Sequence, residues 1–453
     1  MSNLDYINDL YKALDLPANL LSNYIPVPYD NTHSCFKDGI DKYGIPSKFL
    51  RLRSRLKNTF TCPYCGTLDH HESKGLRKKS LSHIANGHQR FIIEVEYRRY
   101  YCLHCHKYIK DEIPIQFPCT RLTCTAAHAS FIQFKENTAI SVIARMMGLS
   151  KSVLYRLFTN HMHIEHRFYH LHSVISIDEF RATTDLGTYA FHIVDPINGK
   201  TIDIVEDRKA STLRNYFLHF PYEERKKVKI IIMDLSGPFK NIMHSLFPNA
   251  SIIADRFHYV KLCSEHLRRC RIDTCASMTN EKLAKSIKKN LHLFDKYKKN
   301  LDYQSEWYDY HLKKYFTCQS YIGYVFEQEE THIFYESYLI YQNLLKLIHE
   351  PHQDYKKELN KWLDNIFEKN NKYYLSTAKN IRKHWFLPIL KSLTYKAIYI
   401  RNGRKYQTSF NNGFIESMNN KVKLVKRNAY GYKKFENLRK RILLHLGFNF
   451  SLK

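Results

Sequence analysis

The chain lacks any apolar stretch approaching the length of a membrane-spanning helix, and its N-terminus, MSNLDYINDLYKAL, has neither the basic lead nor the apolar core of a secretory leader. These absences argue against a membrane-spanning or exported protein and make a cytoplasmic one the expectation. Acidic residues are scarce as well: 43 Asp plus Glu face 71 Lys plus Arg, a formal charge of +28. An excess of that size points to a polyanionic partner, and with no membrane signal nucleic acid is the expected one. Serine or tyrosine nucleophiles are not needed for the chemistry read below, and none is assigned.

At 453 residues and 54.1 kDa the chain exceeds one ordinary core, and 44% hydrophobic residues suffice for several. Length alone gives roughly three domains. The reading is multidomain α+β: an N-terminal segment (1–55), a zinc ribbon (56–111), a helix-turn-helix (119–165), and an RNase H-like α/β domain with a mixed five-stranded sheet. That last domain is split into 170–275 and 396–453 by an all-helical insertion at 276–395. A short helix is expected at Leu4 to Leu14, and RLRSRLK (51–57) reads as a basic lead into the ribbon.

Four of the eleven cysteines form two pairs with two residues between partners, Cys62/Cys65 and Cys102/Cys105. In a reducing compartment that spacing belongs to one structural Zn²⁺, whose tetrahedral shell needs soft ligands from separated segments. Between the pairs, RFIIEVEYRRYY alternates as a strand, with Phe91, Ile93, Val95 and Tyr97 on one face. His70, His71, His104 and His106 are alternative ligands, although four sulfurs already complete the shell. Cys119 and Cys124 are spaced wrongly for a knuckle.

After a proline-containing linker, residues 125–160 read as three helices. In TAISVIARMMGLSKSVLYRLFTNH, Ile140, Ile143, Ala144 and Met147 form one apolar stripe, Gly148 the turn, and Val153, Leu154 and Leu157 a second stripe. Ser150 would cap the last helix, leaving Lys151, Ser152, Tyr155 and Arg156 exposed to double-stranded DNA. An ordinary helical hairpin would show the same pattern, and basicity favours the DNA reading.

HSVISIDEF, TYAFHIVDP and TIDIVED then read as a three-stranded meander with turns at Leu186-Gly187 and Asn198-Gly199. STLRNYFLHF follows as a helix, KVKIIIMD as a buried strand, PFKNIMHSLF as a helix and ASIIAD as a fifth strand. In an RNase H-like sheet the first and fourth strands are neighbours, so Asp178 and Asp234 would lie side by side. Two close carboxylates repel each other, and divalent cations offset that repulsion. Glu416, in the helical NNGFIESMNNKVK, is the third acid, with 160 residues between it and Asp255. The set suits two Mg²⁺, with Mn²⁺ as a substitute, acting on a phosphodiester. Glu179 would face away, and Asp195, Asp203 and Asp207 read as turn or edge residues. Lys421, Lys423, Lys426, Arg427 and Lys433, close behind Glu416, suit phosphate positioning. KSIKKN (285–290) reads as a solvated face.

The blocks SIDEF, MDLSGPFKNIMHSLFPNASIIADRFHYVK and NNGFIESMNNKVKLVKRNAYGYKKFENLRKRIL, behind CPYCG…CLHC and the helical segment, resemble transposases of the ISL-three insertion-sequence family over about residues 60–450. The resemblance implies a DDE transposase with Asp178, Asp234 and Glu416 as metal-binding acids. It would bind its element's inverted repeats, cleave and join DNA, and act as a dimer or higher on DNA. It also implies that Asp255 and His258 match an accessory D-x-x-H element; Asp255 as a simple helix N-cap is the alternative. Ser417 and Asn411 depart from the usual Gly and Ser without removing a ligand. A non-catalytic DNA-binding regulator and a nuclease that cleaves without joining are the competing functions.

Overall fold

A computed structural model describes residues 23–29, 34–41, 44–57, 59–84, 89–164, 170–182, 186–401, 404–428 and 434–452, with 14, 16, 20 and 432 singly. The helix expected at 4–14 lies outside the described residues except for Leu14, and Lys433 lies outside them too. The chain forms two compact units, Met1–Glu165 with Val422–Lys453, and His166–Lys421. Residues 396–453, expected as one piece, are thus divided between the units after Lys421.

In the first unit, six strands share a sheet: β1 (Tyr24–Pro26), β2 (Phe36–Ile40), β3 (Pro46–Ser54), β4 (His71–Ser82), β5 (Arg90–Cys102) and β6 (Tyr108–Lys110). The expected basic lead is largely the end of β3, which runs parallel to β5. Its alternation explains why: Leu50 and Leu52 are buried, while Arg53 bonds Glu96 at 2.6 Å across the sheet. The hydrophobic periodicity of β5 serves two cores. Phe91, Ile93 and Val95 pack with Leu50, Leu52 and Leu81. Tyr100 and Cys102, at even positions and so on the other face, pack with Cys62 and Ile109.

Three helices follow, Cys124–Gln133, Ile140–Met146 and Lys151–Asn160. The Ser150 hydroxyl accepts from Val153 N at 3.3 Å, and Gly148 turns the chain with φ +63°. Ile143, Ala144, Leu154 and Leu157 are buried and Lys151, Ser152, Tyr155 and Arg156 exposed, so both stripes face as the sequence indicates. A short strand β7 (Met162–Ile164) pairs antiparallel with Phe450–Leu452. The helix Phe435–His445 buries its cations against these elements: Lys440 Nζ donates to Phe158 O at 3.1 Å and Arg441 Nη2 to Glu136 O at 2.7 Å.

The second unit is built on β8 (Val174–Arg181), β9 (Tyr189–Asp195), β10 (Lys200–Val205), β11 (Ile230–Met233) and β12 (Ser251–Ala254), in the order β10-β9-β8-β11-β12. β8, β9 and β10 form an antiparallel meander, while β11 runs parallel to both β8 and β12. The short all-apolar runs IIIM and SIIA suit parallel strands covered on both faces. Helices Ala210–Leu218 and Gly237–Leu246 lie where the sequence places them.

Residues 276–395 are mainly helical, but they are not all-helical: Trp307–Asp309 and Lys314–Phe316 form an antiparallel hairpin. The buried Asp309 carboxylate creates the turn by accepting from His311 N and Leu312 N, both at 2.9 Å, which ends helical spacing there. One continuous core runs from Ile175 and Ile231 of the sheet to Trp362 and Trp385 of the inserted helices. A second hairpin, Lys396–Arg401 with Arg404–Ser409, leads into the helix Gly413–Asn428.

Candidate active site and metal centre

The first unit brings Cys62, Cys65, Cys102 and Cys105 together, their sulfurs all within 4.8 Å of one another. Cys62 Sγ lies 3.6 Å from Cys105 Sγ, and Cys65 Sγ 3.7 Å from Cys102 Sγ. A tetrahedron with Zn–S bonds of about 2.3 Å has edges of roughly 3.8 Å, so the cluster is compatible with zinc. The two knuckles repeat one backbone design. Gly66 N donates to Cys62 O at 2.9 Å and His106 N to Cys102 O at 3.0 Å, both residues with positive φ, 72° and 57°. Two of the candidate histidine ligands are engaged elsewhere, His71 packing against Phe60 and Tyr100 and His106 Nδ1 meeting the Tyr101 hydroxyl, whereas the His104 side chain hydrogen-bonds the Cys65 thiol.

In the second unit, β11 pairs with β8 through Ile230–Val174, Ile231–Ile175 and Ile232–Ser176. Continuing that register sets Asp234 opposite Asp178, just beyond the paired residues. Both acids line a cavity of 450 Å³ with Glu179, Arg208 and Phe239. Burial, followed by the Asp234 charge, pushes the Asp178 carboxyl up to about 7. Glu179 lines the same cavity, but Arg208 grips both of its oxygens, at 2.6 and 2.7 Å. That pairing occupies it as an ion-pair partner.

Asp255 sits at the end of β12 in the N-cap position of the helix Arg256–Ser277, yet its side chain makes no capping bond. Its Oδ1 accepts from Asn412 N at 2.9 Å. Its buried Oδ2 has no hydrogen-bond partner among the described residues and lies 3.7 Å from His258 Nε2. His258 Nε2 is also 3.0 Å from Asp234 Oδ1. Asp234, Asp255 and His258 therefore form a second set of metal-type donors within 4.8 Å. Burial raises the Asp255 carboxyl, and although burial alone would lower His258, its bond to Asp234 and the nearby carboxylates raise it. A buried carboxylate oxygen without a hydrogen-bond partner, beside a second carboxylate and an imidazole, is a site that a divalent cation would satisfy.

Glu416 is in the first turn of Gly413–Asn428, near enough for its charge to contribute to raising Asp255. It is not in the 4.8 Å set, and neither is Asp178. Lys421, Lys423 and Arg427 are exposed along the same helix and Lys426 is half-exposed. In the first unit the Tyr155 hydroxyl accepts from Asn437 Nδ2 at 3.0 Å.

Two asparagines were missed by sequence reasoning. Asn412 Nδ2 donates to Asp234 Oδ1 at 3.3 Å, and Asn419 Nδ2 to Asp178 Oδ2 at 2.7 Å. Behind Asn419, His192 Nδ1 is 2.7 Å from Asn419 Oδ1 and His192 Nε2 3.1 Å from Thr201 Oγ1. Burial pushes His192 down to about 4 and keeps it neutral at ordinary pH. The asparagines lie four residues before and three after Glu416, a one-face spacing that carried a signal in the sequence.

A family model for ISL-three DDE proteins, described as transposase, matches residues 175–442, more than half of the chain. The transposase for insertion sequence element IS1001 of Bordetella parapertussis is 24% identical over 262 residues, 57% of this chain and 57% of that protein. An ATP-dependent protease of Lactococcus lactis subsp. lactis is 32% identical over 89 residues, only 18% of this chain and 28% of that one. The chain thus spans little more than half the length of the first relative and less of the second. No helix among the described residues is long and apolar enough to cross a membrane.

Proposed function

We propose, from the premise that the chain belongs to the ISL-three family of transposases, that it binds the terminal inverted repeats of its own insertion sequence and catalyses metal-dependent cleavage and strand transfer. The observation that carries this reading is the convergence of Asp178 in β8, Asp234 and Asp255 just beyond the ends of β11 and β12, and His258 in the first turn of the helix that follows. The strand order supports an RNase H-like catalytic domain, and the Ser150-capped helix after a tight turn supports a helix-turn-helix.

Asp178, Asp234 and Glu416 would hold two Mg²⁺, or Mn²⁺, with Asp255 and His258 beside them. Bound cations supply a lowered pKa for an attacking water or 3′-hydroxyl and stabilisation of the leaving oxygen. The residues themselves orient these groups: β8 and the end of β11 fix the two aspartates, and the helix Gly413–Asn428 carries the third acid. His258 Nε2 reaches both Asp234 and Asp255. Lys421, Lys423, Lys426 and Arg427 would position phosphates, while Lys151, Ser152, Tyr155 and Arg156 would read DNA. The cysteine cluster would hold one Zn²⁺, and pairing two element ends would require a dimer or larger assembly on DNA.

A strand-transfer assay with a pre-cleaved element end tests the proposal. Joined product is the expected result. Cleavage without joining would replace the transposase with a nuclease, and binding with neither reaction would leave a DNA-binding regulator.

A further inference from the structure

We propose that Asn412 and Asn419 are positioning residues that dock the Glu416 helix onto the carboxylates of Asp234 and Asp178 and fix which carboxylate oxygens face a divalent cation. The inference rests on the transposase reading only for the reaction it serves; the docking itself is a property of the side chains. The asparagines are seven residues apart, two helical turns, with Glu416 between them on the same face. Each gives one amide N–H to one acid, Asn412 to Asp234 and Asn419 to Asp178. Asn412 also binds Asp255 through its backbone N–H, and its carbonyl accepts the Glu416 N–H at 2.9 Å. One residue thereby connects two acids on strand ends to the first turn carrying the third.

An amide can be turned end for end, so something must decide which end faces the acid. Behind Asn412, the buried Ser176 hydroxyl donates to the amide oxygen. Behind Asn419, the neutral His192 has one donor and one acceptor nitrogen. With Asn419 Nδ2 committed to Asp178, its Oδ1 must accept, so His192 Nδ1 carries the proton and Nε2 accepts from Thr201. Donation then runs one way, Thr201 to His192 to Asn419 to Asp178, through buried side chains at 3.1, 2.7 and 2.7 Å. A one-way chain of buried hydrogen bonds orients its last acceptor more firmly than any link alone. Asp178 Oδ1 takes the Glu179 N–H at 2.7 Å, so each oxygen has one fixed donor and a remaining lone pair. Partners that orient a ligand from behind commonly set metal affinity and activity by about 10–100-fold.

The test uses the full chain with Asn419→Ala, the near-isosteric Thr201→Val and the double variant. Calorimetric Mn²⁺ titration without DNA and strand transfer on a pre-cleaved end are both read. Asn419→Ala is expected to weaken Mn²⁺ binding about tenfold and lower kcat about 10–100-fold, leaving KM for end DNA within about twofold. Thr201→Val should shift Mn²⁺ affinity the same way by about threefold and add nothing in the Asn419→Ala background, since it acts only through that amide. Unchanged Mn²⁺ affinity in Asn419→Ala, or losses that multiply in the double variant, would overturn the proposal. Hydrogen exchange over residues 413–421 in metal-free protein separates the two readings. Lost protection in Asn419→Ala, in a wild type that joins no DNA, would retain the docking and reject the transposase; unchanged protection would overturn the docking.

Discussion

The thiol cluster of the first unit and the carboxylate cluster of the second are both sets of metal-type donors, assembled in opposite ways. The thiols come as two local pairs, each on the same tight knuckle, and their sulfurs already stand at tetrahedral separations. The acids come singly from within β8, from just beyond the ends of β11 and β12, and from a helix far along the chain; Asn412, Asn419 and His258 hold the three aspartates. A cluster built from local pairs needs its metal to join two halves. One built on a sheet has its frame before any metal arrives, and the metal relieves repulsion instead.

Removing one thiol should therefore have the largest structural effect. Cys65→Ser is expected to reduce zinc from one per chain to nearly none and to unfold residues 60–110 locally, since structural zinc sites supply about 10–16 kcal/mol of apparent binding energy. Metal analysis with hydrogen exchange checks this; full zinc content in the variant would mean that a nearby histidine completes the shell.

The acids should fail chemically with the fold intact. Asp178→Asn, and likewise Asp234→Asn or Glu416→Gln, is expected to lower strand transfer by at least about a thousandfold while end-DNA binding stays within about twofold. Full activity in any of the three would remove that residue from the site. If Asp178→Asn instead unfolded the protein as Cys65→Ser does, the contrast between the clusters would collapse.

That contrast also governs what could be read from sequence. Both cysteine pairs were legible because the knuckle writes its spacing into four consecutive residues. The nearness of Asp178 and Asp234 was legible because an apolar run leads into each and the order of elements made their strands neighbours, although β8 runs on past Asp178 to Arg181. The role of Asn419 was hidden, since its partners Asp178 and His192 lie 241 and 227 residues away in the chain and meet it only in three dimensions. The strand β3 was hidden for a related reason: RLRS alternates well, but its partner β5 is parallel and distant. The hairpin in the insertion was masked by its helical surroundings, and the grouping of Val422–Lys453 with the first unit brings buried Lys440 and Arg441 onto backbone carbonyls of Phe158 and Glu136, distant in the chain.

pH sharpens the comparison at smaller amplitude. The Asp178 carboxyl is raised to about 7 in the folded, metal-free protein, against an ordinary value near 3.8. A raised acid contributes stability below its unfolded value and loses that contribution as pH climbs through its folded value. Metal-free wild type should thus become less stable from about pH 4 to pH 7. Asp178→Asn, neutral throughout, should melt higher than wild type at pH 8 and about equally at pH 4, by roughly 2–4 °C per kcal/mol recovered. Parallel melting curves for the two proteins across this range would contradict a buried, repelled carboxylate. Cys65→Ser should show no such crossing, because its loss follows zinc.

The smallest effects distinguish DNA reading in one unit from phosphate positioning in the other. Arg156 is exposed on the helix Lys151–Asn160 of the first unit, and Lys421 is exposed five residues beyond Glu416 in the second. If Arg156 reads a base edge, Arg156→Ala should cost about 1–3 kcal/mol on end DNA and little on random DNA, lowering the specificity ratio. If Lys421 meets a phosphate, Lys421→Ala should weaken both DNAs alike, because phosphates carry no sequence. It should also make the plot of log affinity against log salt shallower by about one unit, the release of one counterion. Fluorescence anisotropy over a salt series with both DNAs measures all of this. Equal losses on end and random DNA for Arg156→Ala would move sequence reading away from that helix. An unchanged salt slope for Lys421→Ala would leave that lysine as solvated charge beside the site.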